Sequence, residues 1–320
     1  MKKILAIVLA MLLACSCLVM TSCGDSDKYQ VGIIQLVTHD ALDAATEGFK
    51  QALIDELGEE NVEFDVQNAA NSTDTCATIA QSFVTKKVDL IMANATPALQ
   101  AAYSATTTIP ILGTSVTEYG VALGIENFSG TVGGNVSGTS DLADLSAQAD
   151  MIVELVPGAK KVGMLYCSSE ANSDYQVKKV TEYLTAKGVE CVNYAFSDSN
   201  DVAQIADKAA KECDAIYVPT DNTAASCAET IYGAMTEKKP IIAGEAGICK
   251  GCGIATLSIS YYDLGYTTGK MAAKILKGES NISEMPIEYA PQTKKYNAAI
   301  CGDLGIDTAA LEAAGYEALS

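Results

Sequence analysis

Val88-Asp89-Leu90-Ile91-Met92-Ala93-Asn94-Ala95-Thr96-Pro97-Ala98-Leu99-Gln100-Ala101-Ala102 is the stretch from which the fold can be read. A short apolar run stops at small polar residues and passes at once into a helical pattern, which predicts a strand followed by a helix. Thr96 reads as an N-cap and Pro97 as the first helical residue, where a missing N–H costs nothing. Such a junction aims free backbone N–H groups and the positive end of a helix dipole at one spot, which suits a small anion. The design returns at Cys213–Ser226 (CDAIYVPTDNTAAS). The strands that follow also correspond, Ile109–Ser115 (IPILGTS) with Lys239–Glu245 (KPIIAGE). Two similar α/β units, each ending its strands in polar loops, predict two lobes facing a shared cleft.

Outward from this stretch the alternation continues. Val31–Thr38 (VGIIQLVT) is apolar nearly throughout, as a strand buried on both faces would be. A helix from about 41 to 57, a strand at 62–66 and a helix through Thr85 follow. The Gly/Ser-rich run Gly133–Thr139 is the first boundary candidate, and the pattern restarts at Val162–Cys167. Later strands are expected at 189–196, 214–219 and 240–244. Ala255–Ser260 reads as a strand returning towards the first lobe, before a helix at 263–277, and Asn297–Cys301 as a strand in the tail. The expected fold class is α/β, a two-lobed clamshell in which each lobe is a parallel sheet flanked by helices. One lobe comprises 30–142 with about 257–282, and the other 143–256 with about 283–320.

The N-terminus reads as a targeting segment over 1–22. Lys2 and Lys3 give the charged start, and Ile4–Leu13 an apolar core too short to span a membrane. Met20-Thr21-Ser22-Cys23 resembles a bacterial lipobox, with Leu12-Leu13-Ala14-Cys15 as a rival site. Cys23 is the expected lipidation site because the apolar region ends there, and 23–29 would be a tether. The expectation is an extracytoplasmic protein anchored to the cell membrane by lipid on Cys23. Net charge is −19, from 40 acidic and 21 basic residues, all of the latter Lys. A basic nucleic-acid footprint is therefore absent. Eight cysteines remain beyond Cys23, an even number compatible with disulfides outside the cytoplasm or with small buried apolar side chains.

In open parallel sheets, ligands bind outside the C-terminal strand ends. Those ends are Thr38 and His39, Asn68, Asn94 and Thr96, and Thr114 and Ser115 in the first unit. The second unit offers Ser168–Ser173, Thr220–Asn222, Gly244 and Glu245. Hydroxyls and amides dominate, with the carboxylates Asp221 and Glu245 in one half. That asymmetry suits a zwitterion, its carboxylate at helix starts and its ammonium by Asp221 or Glu245. Dicarboxylates and phosphates are usually gripped by guanidinium forks, and the chain has no Arg. It also has no Trp, which weakens a carbohydrate reading. Plainer roles stay open: Thr96, Ser72 and Asn172 as helix caps, Asp221 and Asn222 as turn residues, Glu245 as a solvated acid, and His39, the only histidine, as a loop-orienting residue.

No catalytic or metal constellation stands out. No G-x-G-x-x-G opens a helix, and no G-x-S-x-G elbow occurs. Gly265–Lys270 (GYTTGK) is one residue short of a P-loop and lies in a helical pattern. Cys249-Lys250-Gly251-Cys252 is a C-x-x-C in what reads as a Gly-rich turn, without the second pair a zinc ribbon needs, so a turn disulfide or two thiols is expected. No cofactor and no enzymatic activity are expected.

Several stretches carry a family resemblance. They are Val31–Lys50 (VGIIQLVTHDALDAATEGFK), Asp89–Ala102, Ser168–Ser173 (SSEANS), Val218–Asn222 (VPTDN) and Ala255–Gly265 (ATLSISYYDLG). With them the chain resembles, over roughly 29–310, ABC-transporter substrate-binding lipoproteins of the tryptophan/tyrosine-binding type, which have the type I periplasmic-binding-protein fold. The resemblance implies a cleft that binds a small amino-acid-like ligand, often aromatic, for a permease driven by its ATPase, and a monomer is expected. It implies ligand contacts at Thr96, Ser115, Ser169, Asn172, Thr220, Asp221 and Glu245, to which the strand-end reading adds Thr38. The C-x-x-C and the abundant Cys are not family hallmarks, and Thr38-His39-Asp40 departs from the usual first loop. Two readings keep the fold with another role, a ligand-sensing receptor domain or a binder of a nucleoside or sugar. A third is an exported redox enzyme using Cys249 and Cys252.

Overall fold

Alternation of side chains across each strand decides the layering. In β1 (Tyr29–Gln35), Val31 and Ile33 pack on one face with Phe49 and Leu53, while Ile34 packs on the other with Ile79 and Phe83. A strand buried on both faces needs helices on both, which is how a doubly wound sheet forms. The structure, a computed structural model, describes residues 28–319. The targeting segment and Cys23 lie outside those residues.

Four parallel strands follow β1 in the first half: β2 (Val62–Asn68), β3 (Leu90–Asn94), β4 (Ile111–Val116) and β5 (Val136–Ser140). The second half supplies β6 (Lys161–Cys167), β7 (Glu190–Phe196), β8 (Ala215–Val218), β9 (Ile241–Ala243) and β10 (Ala255–Ser258). Short strands β11 (Glu288–Tyr289), β12 (Thr293–Tyr296) and β13 (Glu317–Ala318) finish the chain. The first sheet has the order β11-β5-β4-β3-β1-β2 and the second β13-β12-β10-β9-β8-β6-β7. Every pairing is parallel except β10 with β12. Helices cover both faces of each sheet, giving two cores per lobe.

The chain passes between the sheets after Ser140, after Ser258 and after Tyr289. Three sequence expectations change here. β10 does not return to the first lobe: it pairs with β9 and β12, and the passage comes immediately after it. β11 pairs with β5, so 283–289 stay with the first lobe. The expected strand Asn297–Cys301 is instead the helix Ala298–Asp303, because the Asn297 side chain caps the N–H groups of Ala299 and Ile300. β5 runs through the Gly-rich boundary candidate near 133–139, and the first passage between the sheets follows directly after it. A Cβ on Gly138 would lie 2.1 Å from the Gly113 carbonyl oxygen, so the small residue answers close packing between β4 and β5.

The helix after the second passage, Tyr261–Leu276, lies along the helix Asp40–Leu57. The GYTTGK run is part of that contact. A Cβ on Gly265 would sit 1.9 Å from the Ala45 carbonyl oxygen, so the residue lets two backbones approach rather than cradling phosphate. The expected turn at Cys249–Cys252 is the end of a helix, Ala246–Cys252. All eight cysteines in the described residues are free thiols. Among the described residues, no helix is long and apolar enough to cross a membrane.

Candidate ligand-binding cleft

The strand-end loops of the two lobes meet. Asn71 Nδ2, beyond β2, donates to Thr223 Oγ1, beyond β8, at 3.0 Å. His39 Nε2 lies 3.5 Å from Asn222 Oδ1. Burial lowers the pKa of His39, which favours the neutral imidazole at this contact. Lys250 reaches across to Asp40 at 3.6 Å. The cleft floor on the first-lobe side is therefore the row of strand ends behind these contacts.

That floor contains polar atoms with nothing to bond. Thr96 does not cap its helix, as the sequence suggested. Ala95 occupies the cap position with φ +96° and ψ 158°, and the helix Thr96–Ala105 starts without a side-chain cap. Thr96 is 2% exposed, and its Oγ1 has no hydrogen-bond partner in the protein. On the neighbouring strand, Ser115 sits at an irregularity in the β4–β5 register with φ +54°, and its buried Oγ is likewise unpartnered. Ala95 and Ser115 hold backbone conformations that L-residues adopt at a cost of about 1–3 kcal/mol each, strain that clusters at functional sites. A buried hydroxyl without a partner costs about 1–3 kcal/mol as well. Both costs fall on adjacent strand ends.

From the second lobe, Asn172 extends Nδ2 to the Thr220 carbonyl at 3.1 Å and leaves its buried Oδ1 unpartnered. Thr220 is held by Gln176, which donates to its carbonyl at 3.0 Å and accepts from its N–H at 3.0 Å. The Thr220 hydroxyl donates to the Gly244 carbonyl at 3.2 Å. Sequence reading missed Gln176, which lies one helical turn beyond Asn172, so the i,i+4 spacing was the available signal.

The carboxylates divide by role. Asp221 caps the helix Asn222–Ser226, accepting from Ala224 N–H at 2.8 Å and from Cys167 N–H at 2.7 Å. Burial, with Glu170 nearby, pushes its pKa upward. Glu245 caps the helix Ala246–Cys252 through the N–H groups of Gly247 and Ile248, and burial pushes it up to about 7. Glu170, quoted in the SSEANS motif but not chosen as a site residue, accepts from both nitrogens of Asn222 and from the N–H and hydroxyl of Thr223, at 2.7–3.0 Å. It fixes the loop that meets the first lobe.

Thr38 and Ser169 differ from the rest, being exposed. Thr38 Oγ1 accepts from Asn68 at 2.9 Å, and Ser169 Oγ is 3.1 Å from the Cys167 thiol. Thr38 and His39 border an open recess of about 520 Å³ lined by residues of both lobes. The structure thus groups Thr96, Ser115 and Asn172 as buried groups with unused bonding capacity. It gives Asp221, Glu245 and Thr220 structural bonds, and leaves Thr38 and Ser169 towards solvent. No group of metal-ligating side chains occurs among the described residues. Cys249 and Cys252 are fully buried, and burial pushes both thiols up, opposite to what a redox nucleophile requires.

Two α/β lobes closing on a polar floor describe a solute trap, and a model of ABC transporter substrate-binding proteins matches residues 30–309. The chain belongs to that family. Substrate-binding proteins of this family work outside the cytoplasm. A tyrosine-binding protein of Clostridioides difficile (strain R20291) is 37% identical over 311 residues, covering 92% of this chain and 89% of the relative. A Streptococcus pneumonia ABC domain solved in complex with L-Trp matches with TM-score 0.85 at 31% identity, covering 91% of this chain and all of that one. The ligand-free, open structure of a Clostridium difficile substrate-binding protein with adhesive properties matches with TM-score 0.69 at 38% identity, covering 91% and 99%. Shape similarity runs against sequence similarity in that pair. This structure is more similar overall to the L-Trp complex than to the open one, and its lobes touch through Asn71 with Thr223 and His39 with Asn222.

Proposed function

We propose that this family member captures a free amino acid with an aromatic side chain in the interlobe cleft and delivers it to an ABC permease coupled to its ATPase. In this reading the protein works as a monomer, held outside the cell membrane by lipid on Cys23. The observation that carries the ligand class is the pair of buried, unpartnered hydroxyls of Thr96 and Ser115 on adjacent strand ends, with the free amide oxygen of Asn172 at a strand end of the other lobe. Hydroxyls beside the start of the helix Thr96–Ala105 suit the ligand's carboxylate, because the free N–H groups and dipole there favour an anion. The aromatic preference rests on the relatives that bind tyrosine and L-Trp. Thr220, Asp221 and Glu245 then shape the pocket wall, while Thr38 and Ser169 sit at its entrance. A ligand bridging both lobes stabilises the closed form by its differential contacts, and the permease reads that form.

A thermal-shift screen of the protein against the amino acids, nucleosides and common sugars tests the reading. Ligand at a hundred times its dissociation constant should stabilise the fold by about 2.7 kcal/mol. A rise with tryptophan, tyrosine or phenylalanine supports the proposal. A rise confined to a sugar or nucleoside would keep the fold and remove the function.

A further inference from the structure

Asp141 was not among the strand-end residues read from the sequence, because Gly133–Thr139 was read as a lobe boundary rather than as a strand. It follows the last residue of β5, and its N–H donates to the Val116 carbonyl at 3.3 Å, which ties it to the end of β4. Since β5, β4 and β3 are neighbours, Asp141, Ser115 and Thr96 form a row along one sheet edge. Each carries a buried polar atom without a hydrogen-bond partner, Asp141 through Oδ1. Asp141 is 4% exposed, and its Oδ2 accepts from the Tyr261 hydroxyl at 2.9 Å. It enters none of the ion pairs among the described residues. The Thr117 hydroxyl lies nearby without completing a hydrogen bond to Oδ1, and Tyr119 and Glu245 are the other titratable neighbours.

We propose that Asp141 receives the α-ammonium of the ligand, in place of Asp221 or Glu245. This rests on the amino-acid reading of the same cleft. Both oxygens of Asp221 and both of Glu245 already accept backbone N–H groups within their own lobe. Glu170 is saturated by Asn222 and Thr223. Asp141 alone combines deep burial, a free oxygen and a place beside the two free hydroxyls. Asp141 follows β5, so it lies one strand from Ser115 on β4 and two strands from Thr96 beyond β3, which puts a carboxylate and hydroxyls along the same row of strand ends. Burial pushes the Asp141 carboxyl up to about 6 in the ligand-free protein. An incoming cation supplies the counter-charge that the protein itself does not place there. The site therefore selects a free α-amine and rejects N-acylated or desamino compounds with the same ring.

The test compares L-tryptophan and L-tyrosine with their desamino counterparts, which keep the ring and carboxylate, by isothermal titration. The wild-type protein should prefer the amino acids about a hundredfold or more, because the analogue leaves a buried polar group unpaired. Asp141→Asn should lose most of that preference while binding the desamino acids as before. Thr96→Val should weaken both kinds of ligand alike. Equal binding of amino and desamino acids by the wild type would overturn the assignment without recourse to any variant. So would an Asp141→Asn protein that keeps the full preference. In either case aromatic amino-acid binding itself would stand. Absence of binding to every amino acid would instead remove the proposed function, and the assignment with it.

Discussion

Replacing Thr96 with Val should push stability and affinity in opposite directions. The hydroxyl is buried at 2% exposure and finds no partner, so the ligand-free fold carries the desolvation of a polar group and gains nothing for it. Removing such a group while keeping the branched shape should stabilise the ligand-free protein by about 1 kcal/mol, since an unsatisfied buried hydroxyl costs about 1–3 kcal/mol. In a protein of this size that is a rise in melting temperature of about 2 °C. Bound ligand changes the sign. If its carboxylate accepts from Thr96, the valine variant loses a hydrogen bond to a charged group, about 1.5–3 kcal/mol, and affinity falls by about 10- to 150-fold. Differential scanning fluorimetry without ligand and isothermal titration with L-tryptophan or L-tyrosine read the two effects separately. A variant that melts earlier and binds as well as wild type would refute the reasoning, because the hydroxyl would then be satisfied within the fold and unused by ligand.

Glu170→Ala should destabilise the protein by at least about 3 kcal/mol in urea unfolding, as it strands four donors of Asn222 and Thr223 in a buried loop. Gly265→Ala should cost about 1–3 kcal/mol or more in the same assay, because its methyl would meet the Ala45 carbonyl oxygen and force two helices apart. Asp141 and Glu245 have pKa values raised by burial, to about 6 and about 7, above those of the unfolded chain. Between roughly pH 4 and 7 the folded state then binds more protons than the unfolded one, so the ligand-free melting temperature should rise as pH is lowered from 7.5 to 5. His39, whose pKa burial lowers, works the other way below its ordinary value, and a net fall over that range would show that it dominates.

Much of the architecture was legible because it follows from patterns that survive in one dimension. The apolar runs of β1, β3 and β8 have no polar face, so they could only be strands covered on both sides. The echo between Asp89–Ala102 and Asp214–Ser226 foretold two lobes, and strand ends pointed to Thr96, Ser115 and Asn172 as candidates. Short or weakly apolar strands were the blind spot. β5 (VSGTS) is buried with small polar side chains, and in sequence it reads as a lobe boundary rather than a strand. β11 and β12 are two and four residues long and owe their existence to the strands beside them.

What sequence alone determined is residue type and period: an α/β chain without guanidinium or indole, with hydroxyls, amides and a few acids at the ends of its strands. Which of those groups is free to bind was decided by tertiary structure. Ser72, Asp221 and Glu245 spend their oxygens on helix N-termini, whereas Thr96, equally fit to be a cap by its place in the chain, does not. The physical reason is that a hydrogen bond depends on where donor and acceptor meet in three dimensions, and hydroxyls and carboxylates carry no mark in sequence of the partner they will find. Ala95 at φ +96° turns Thr96 into the first helical residue, and the row formed with Ser115 and Asp141 exists only because β3, β4 and β5 lie side by side.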